Sequence, residues 1–174
     1  MNLNFYIAQF IGIITTIGAV VTVQFKNIQT ILVGEIILNL LIALNFILLG
    51  GGSGAGVCVL ATVQTIWIYF YSRRGKKFPT LLNIGFMVGY IVTSSFSFSG
   101  FPSVISCIAA LFYALSVTQP NAKKYRVYML INGLLWVVYD INLHAWTSIL
   151  THGFLATSVL VAMARLDYCK KSNN

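Results

Sequence analysis

Acidic residues are almost missing from this 174-residue chain: Glu35, Asp140 and Asp167 are the only three. Charged residues of both signs make up 8% of it, and 58% is hydrophobic. A soluble domain needs about a quarter of its residues charged to cover its surface. A chain this poor in charge is solvated mainly by lipid. With no HExxH motif and no pair of carboxylates inside one apolar run, hydrolytic chemistry lacks its residues. Neither an enzymatic activity nor a cofactor is expected. Cysteine is scarce as well. Cys58, Cys107 and Cys169 form no CxxC pair and are too few for a disulfide framework or a zinc site. Cys58 and Cys107 fall toward the same side of the membrane, so buried free thiols stand against a single bridge.

What is present is apolar length. Seven windows stand out, at 5–25, 30–49, 56–71, 78–96, 101–118, 127–143 and 146–164. Each is close to the roughly 20 residues that a spanning helix needs. Lipid offers no partner to backbone N–H and C=O groups, so such runs are helices, and they are too long and too uniformly apolar for barrel strands. The connections carry turn residues: Gly50-Gly51-Gly52-Ser53-Gly54, Arg73-Arg74-Gly75-Lys76-Lys77, Ser97-Phe98-Ser99-Gly100 and Gln119-Pro120-Asn121. Met1-Asn2-Leu3-Asn4 lacks a basic n-region, so the first run is expected to be a mature helix rather than a signal peptide.

A net charge of +8 would point to nucleic acid in a soluble protein. Its distribution points elsewhere. The eleven Lys and Arg residues fall at Lys26, at Arg73 to Lys77, at Lys123 to Arg126 and from Arg165 onward, always after odd-numbered spans. The positive-inside rule then places the N-terminus outside and the C-terminus in the cytoplasm. No nucleic-acid partner is expected. An all-α membrane protein of seven spans follows, divided into a first triple-helix bundle (1–74), a linker helix (75–98), a second triple-helix bundle (99–167) and a cytoplasmic tail (168–174). The odd linker lets both triplets enter the membrane with the same polarity, as in parallel-repeat transporters. At an offset of 93, Asn39 aligns with Asn132 and Phe46 with Tyr139.

Polar side chains inside spans are costly there and therefore mark candidate sites. Glu35 lies in the inner third of the second window, with Asn39 one turn further on the same face and Asn45 nearer the outer end. It reads either as a proton or cation site or a substrate hydrogen-bond partner, or as a Glu that pairs with a basic loop residue or a hydroxyl as helix–helix glue. In the sixth window Asn132, Trp136, Tyr139 and Asp140 follow i, i+4, i+7, i+8, which puts them on one helix face. An aromatic wall with an amide and a phenol suits a small polar ligand. An outer aromatic belt with a helix-ending acid is the alternative. His152, in the seventh window, lines a polar cavity or bonds a helix carbonyl, and His144 beside Asp140 reads as a surface contact. Gln64 needs an external partner, whereas Thr15, Thr16 and Thr65 can bond their own turns.

Three passages carry a resemblance: Ala8-Gln9-Phe10-Ile11-Gly12-Ile13, Leu44-Asn45-Phe46-Ile47-Leu48-Leu49-Gly50, and Trp136-Val137-Val138-Tyr139-Asp140 together with His152-Gly153. They resemble the YgjV family of bacterial inner-membrane proteins. That family is distantly similar to the SWEET, SemiSWEET and PQ-loop group, which implies two triple-helix bundles around a linker helix in the inner membrane. Sugar-binding residues of that group include a Trp late in the second helix of a bundle and an Asn in the third. Trp136 resembles the former, and His152 stands where the Asn would be. The Pro-Gln hinge is absent: Lys26-Asn27 ends the first span and Gln119-Pro120 reverses the order.

The resulting expectation is a facilitator or proton-coupled carrier, with a sugar or another small polar metabolite as substrate. Trp136, Tyr139, Asn132, His152, Asn39 and Asn45 are the substrate-binding candidates, and Glu35, Gln64 and Asp140 the coupling or gating candidates. The alternative is a receptor or assembly protein on the same fold. The partners are the bilayer and a small-molecule substrate, with oligomerisation left open.

Overall fold

A computed structural model describes residues 3–48, 52–95, 101–142 and 146–168. Among them are seven α-helices: α1 (Leu3–Thr22), α2 (Ile28–Leu48), α3 (Gly52–Arg73), α4 (Thr80–Ser95), α5 (Phe101–Val117), α6 (Ala122–Asn142) and α7 (Trp146–Ala162). A π-helical segment, Met163–Tyr168, continues α7. The connection 97–100, His144 and the tail from Cys169 lie outside the described residues.

Local chemistry sets the helix ends. Asn27 accepts the N–H of Gln29 at 2.9 Å and Asn121 that of Lys124 at 2.9 Å, so α2 and α6 each start from an Asn N-cap. Because Asn121 caps so early, α6 begins before its apolar window and takes Lys123, Lys124 and Arg126 into its first turns. Gly75 has φ +63°. Its N–H bonds to Ser72 O while that of Lys76 bonds to Tyr71 O, the Schellman pattern that closes α3. Gly52, Ser53 and Gly54 are not a turn, as their composition suggests, but the first residues of α3.

Four stretches are long and apolar enough to cross a membrane: Asn4–Thr22, Ile28–Leu48, Ala55–Arg73 and Ile149–Asp167. Thr80–Ser95 and Val104–Val117 are apolar but shorter, and α6, with its basic start, is the most polar of the seven helices. Their outer surface is the inverse of a water-soluble one. Phe10, Ile13 and Ile17 on α1, with Leu150 and Phe154 on α7, are all more than half exposed. Such contiguous apolar exposure calls for lipid or another apolar partner.

Within the chain, α2 packs between α1 and α3, α6 packs between α5 and α7, and α4 touches α3 and α5. α1 also meets α7, and narrower contacts join α2 to α6 and α3 to α5. Gly34 lets α1 come close to α2, since a Cβ there would stand 2.7 Å from the Thr22 side chain. The main core gathers at the end where α2 and α6 begin: Val23, Ile31, Leu32, Ile68, Val117, Tyr125, Met129 and Val159 come from five helices and the turn that follows α1. A smaller cluster, Ala61, Tyr90 and Ala114, seats α4 against α3 and α5. Cys58 and Cys107 are both free.

Candidate functional site

Hydrophobic packing alone would leave the helix contacts featureless. Polar side chains give them three distinct connections. The first crosses four helices. Glu35 is 6% exposed and lies about 10 Å along α2, at 1.5 Å per residue. Tyr125, in the first turn of α6, donates its hydroxyl proton to Glu35 Oε1 at 2.5 Å. Tyr113 of α5 stands beside the same carboxyl. Asn39, one turn above Glu35, donates from Nδ2 to the Glu35 carbonyl at 2.8 Å and to the Tyr113 oxygen at 2.6 Å. Thr65 of α3 meets the Tyr113 hydroxyl at 3.2 Å. Glu35, Asn39, Thr65, Tyr113 and Tyr125 thus form one buried seam.

The second connection closes the basic end. Arg126 is 1% exposed, although its place in a basic cluster suggests a solvated loop residue. The early start of α6 turns it inward. Its Nε donates to Val23 O at 2.9 Å, Nη2 to Phe25 O at 2.5 Å and Nη1 to Asp167 Oδ1 at 2.7 Å. One guanidinium therefore holds the α1–α2 connection, α6 and the π segment together. Beside it, Gln24 donates to the Ser158 carbonyl and hydroxyl, both at 2.7 Å, and Ser158 donates to Val20 O. Arg165 reaches Gln24 Oε1 at 3.2 Å.

The third lies further along α6. The Trp136 and His152 rings stack at 5.6 Å and 13°, and Tyr139 meets Trp136 edge-on at 5.2 Å. Trp136 continues the inward stripe that contains Met129 and Asn132, and His152 precedes Ala156 and Val159 on the inward stripe of α7. All three rings are half-buried. Trp136 stands about 20 Å from the start of α6.

The other sequence candidates lie as follows. Asn132 donates to Ala109 O at 2.7 Å, tying α6 to α5, and Asn45 donates to Ala8 O at 2.6 Å, tying α2 to α1. Both amides thus serve as ties between neighbouring helices. Gln64 accepts from Tyr90 and donates to Asn83, both at 2.9 Å, so it joins α3 to α4 rather than the seam. The side chain of Asp140 lies outside the described residues. Sequence reasoning missed Tyr113, Tyr125, Arg126 and Asp167. Tyr113 blends into an apolar run, Tyr125 sits inside the basic cluster between Lys124 and Arg126, and the partners Arg126 and Asp167 are 41 positions apart.

Among the described residues no group of three His, Cys, Asp or Glu side chains could hold a metal ion. A shallow groove of about 570 Å³ runs between α1 and α7, lined by residues such as Ile17, Val20, Phe154 and Val161. Its walls are apolar and open to the side, as befits a surface facing lipid.

Apolar helices with a lipid-type exterior and polar groups turned inward define a multi-pass membrane protein. The chain belongs to the Imp-YgjV family of bacterial inner membrane proteins, whose family model spans residues 6–170. Its place is accordingly the bacterial inner membrane. No curated protein and no solved structure matches the chain.

Proposed function

We propose that the chain is a small-solute transporter working by alternating access between two triple-helix bundles, α1–α3 and α5–α7, with α4 as the linker. On this reading the N-terminus is outside and the basic end is cytoplasmic, in line with the positive-inside rule. The observation that carries it is the seam. Glu35, Asn39 and Thr65 come from one bundle and Tyr113 and Tyr125 from the other. Costly polar groups of the membrane interior thus meet where the bundles would have to part. The contacts α1–α7 and α3–α5 are equivalents of each other under exchange of the bundles, and α2–α6 is its own equivalent. A pseudo-two-fold arrangement has that pattern.

Trp136, Tyr139 and His152 form the solute-binding group in this proposal. Stacked rings with a phenol and an imidazole suit a cyclic, neutral, polyhydroxylated or heteroaromatic solute, offering apolar faces and a few directed hydrogen bonds. Thermal stability of the detergent-purified protein against sugars, nucleosides, vitamins and amino acids tests this, because a ligand of the folded state raises Tm by mass action. A rise that is lost in both Trp136→Ala and His152→Ala variants is the expected result. A rise retained by both variants removes the aromatic group from the site. No rise across the panel, with folded protein, favours a receptor or assembly role for which the exposed Arg73, Arg74, Lys76 and Lys77 form the recognition face.

A further inference from the structure

Alternating access can be driven if a second, ionic species binds where the bundles meet, and the surroundings of Glu35 select that species. Among the described residues the single ion pair is Arg126–Asp167, and none of them gives Glu35 a cationic partner. The groups around it are few. Tyr125 comes from α6, Tyr113 from α5 and Asn39 from its own helix. α3 contributes Thr65 and places Tyr69 on the core that holds Tyr125. α1, the remaining helix packed on α2, carries one ionisable side chain, Tyr6, near its far end. Arg126 follows Tyr125 in α6, but its three nitrogens are engaged with Val23, Phe25 and Asp167.

The contacts around the carboxyl converge on Tyr113. Thr65 donates to Ala61 O at 2.8 Å and meets the Tyr113 hydroxyl at 3.2 Å. The Tyr113 oxygen meanwhile accepts from Asn39. The Tyr113 hydroxyl also stands within hydrogen-bonding reach of the carboxyl, and Tyr125 donates to Oε1. An ionised carboxylate offers about four acceptor positions, and in a buried site without a cation it is far less stable than the acid. The acid form fits: it accepts from Tyr125 on one oxygen and has the Tyr113 hydroxyl as a partner for its own O–H.

We propose that Glu35 is a proton-binding site whose protonation is coupled to closure of the two bundles at the basic end. In the open arrangement the carboxylate faces water and takes one proton from it, forming the O–H bond on one carboxyl oxygen. Closure then brings Tyr125 and Tyr113 against the neutral acid. Opening withdraws both phenols, water returns, and the proton leaves to it. The phenols keep their own protons throughout, and each cycle takes up one proton before closure and gives one back on opening. The coupling rests on the alternating-access reading, whereas the proton site itself is tested without any solute.

The test is infrared spectroscopy of the bilayer-reconstituted protein through a pH series, in light and heavy water. The expected result is a protonated-carboxyl C=O band that titrates, shifts on deuteration and is lost in Glu35→Gln. In Tyr125→Phe the same band should persist and move to higher frequency, since a hydrogen bond to the carbonyl has been removed. A carboxyl band that survives Glu35→Gln, one that ignores pH, or one unmoved in Tyr125→Phe overturns the proposal, as does the absence of any such band. Should Glu35→Gln fail to fold, the Tyr125→Phe shift and the pH response of the wild type still decide it. Failure of the solute panel together with a titrating Glu35 band would leave the proton site standing and overturn only the solute assignment.

Discussion

Glu35 and Asp167 are both buried acids near the basic end of the helices, and their surroundings differ in one respect. Asp167 faces a guanidinium at 2.7 Å, and Glu35 faces a phenol at 2.5 Å. The first is an ion pair buried on both sides. Its guanidinium also fixes the backbone at Val23 and Phe25. The second arrangement contains no fixed charge and can exist in two protonation states. One acid holds the helices, and the other is free to respond to them. The orphan is on the unexpected side: Asp167 Oδ2 is buried without a hydrogen-bond partner among the described residues, despite its salt bridge. That leaves the ion pair dependent on Arg126 alone.

Removing the guanidinium separates the two roles most forcefully. Arg126→Met strands the Asp167 charge and frees two carbonyls at once. Breaking a buried pair from one side costs about 3–5 kcal/mol, and thermal unfolding in detergent should show the largest loss of any substitution considered for this chain. Adding Asp167→Leu should recover much of that loss, because an apolar pair in place of a buried ion pair is often close to neutral. A double variant as unstable as Arg126→Met alone would mean that the contacts to Val23 and Phe25, rather than the charge, carry the effect.

Much of the scaffold is visible in the amino-acid sequence, because lipid imposes a rule that reads directly as composition. Windows of apolar residues became helices with ends shifted by caps such as Asn121 and by the helical start at Gly52. Trp136 and Tyr139 share a face through their spacing in α6, and their stacking with His152 brings together residues that the family resemblance had set side by side. Side-chain partnerships across helices were another matter. Arg126 was one of several basic residues that orient the chain, and nothing in its neighbourhood distinguishes it from Lys123 and Lys124, which are exposed. Tyr113 looks like an ordinary aromatic member of an apolar run, and Tyr125 like part of a basic loop, until the fold turns their hydroxyls toward Asn39 and Glu35. Periodicity reports which face a residue takes; it carries no information on what stands opposite.

Tyr125→Phe probes the seam from the phenol side and should have an intermediate effect. It deletes the single hydroxyl that donates to Glu35 Oε1 while keeping the ring in the core beside Met129 and Val159. Leaving a buried acceptor without its donor costs about 1–3 kcal/mol. The same thermal measurement should therefore place this variant between Arg126→Met and the wild type. A loss equal to that of Arg126→Met would indicate that the carboxyl is charged and depends on Tyr125 as Asp167 depends on Arg126.

Glu35→Gln should have the smallest effect, and it bears most directly on the difference between the two acids. An amide matches a protonated carboxyl in size, keeps an oxygen to accept from Tyr125 and keeps a donor toward Tyr113. If Glu35 is neutral in the closed arrangement, stability should change by less than about 1 kcal/mol, the range of a substitution that removes no partner. Asp167→Asn is the matched control: the same exchange of acid for amide leaves Arg126 without its counter-charge, and the cost returns to about 3 kcal/mol or more. Equal losses in the two amide variants would make Glu35 a second structural charge. A small loss at Glu35 beside a large one at Asp167 would instead fix one carboxyl as part of the framework and leave the other neutral, held by the phenols of α5 and α6.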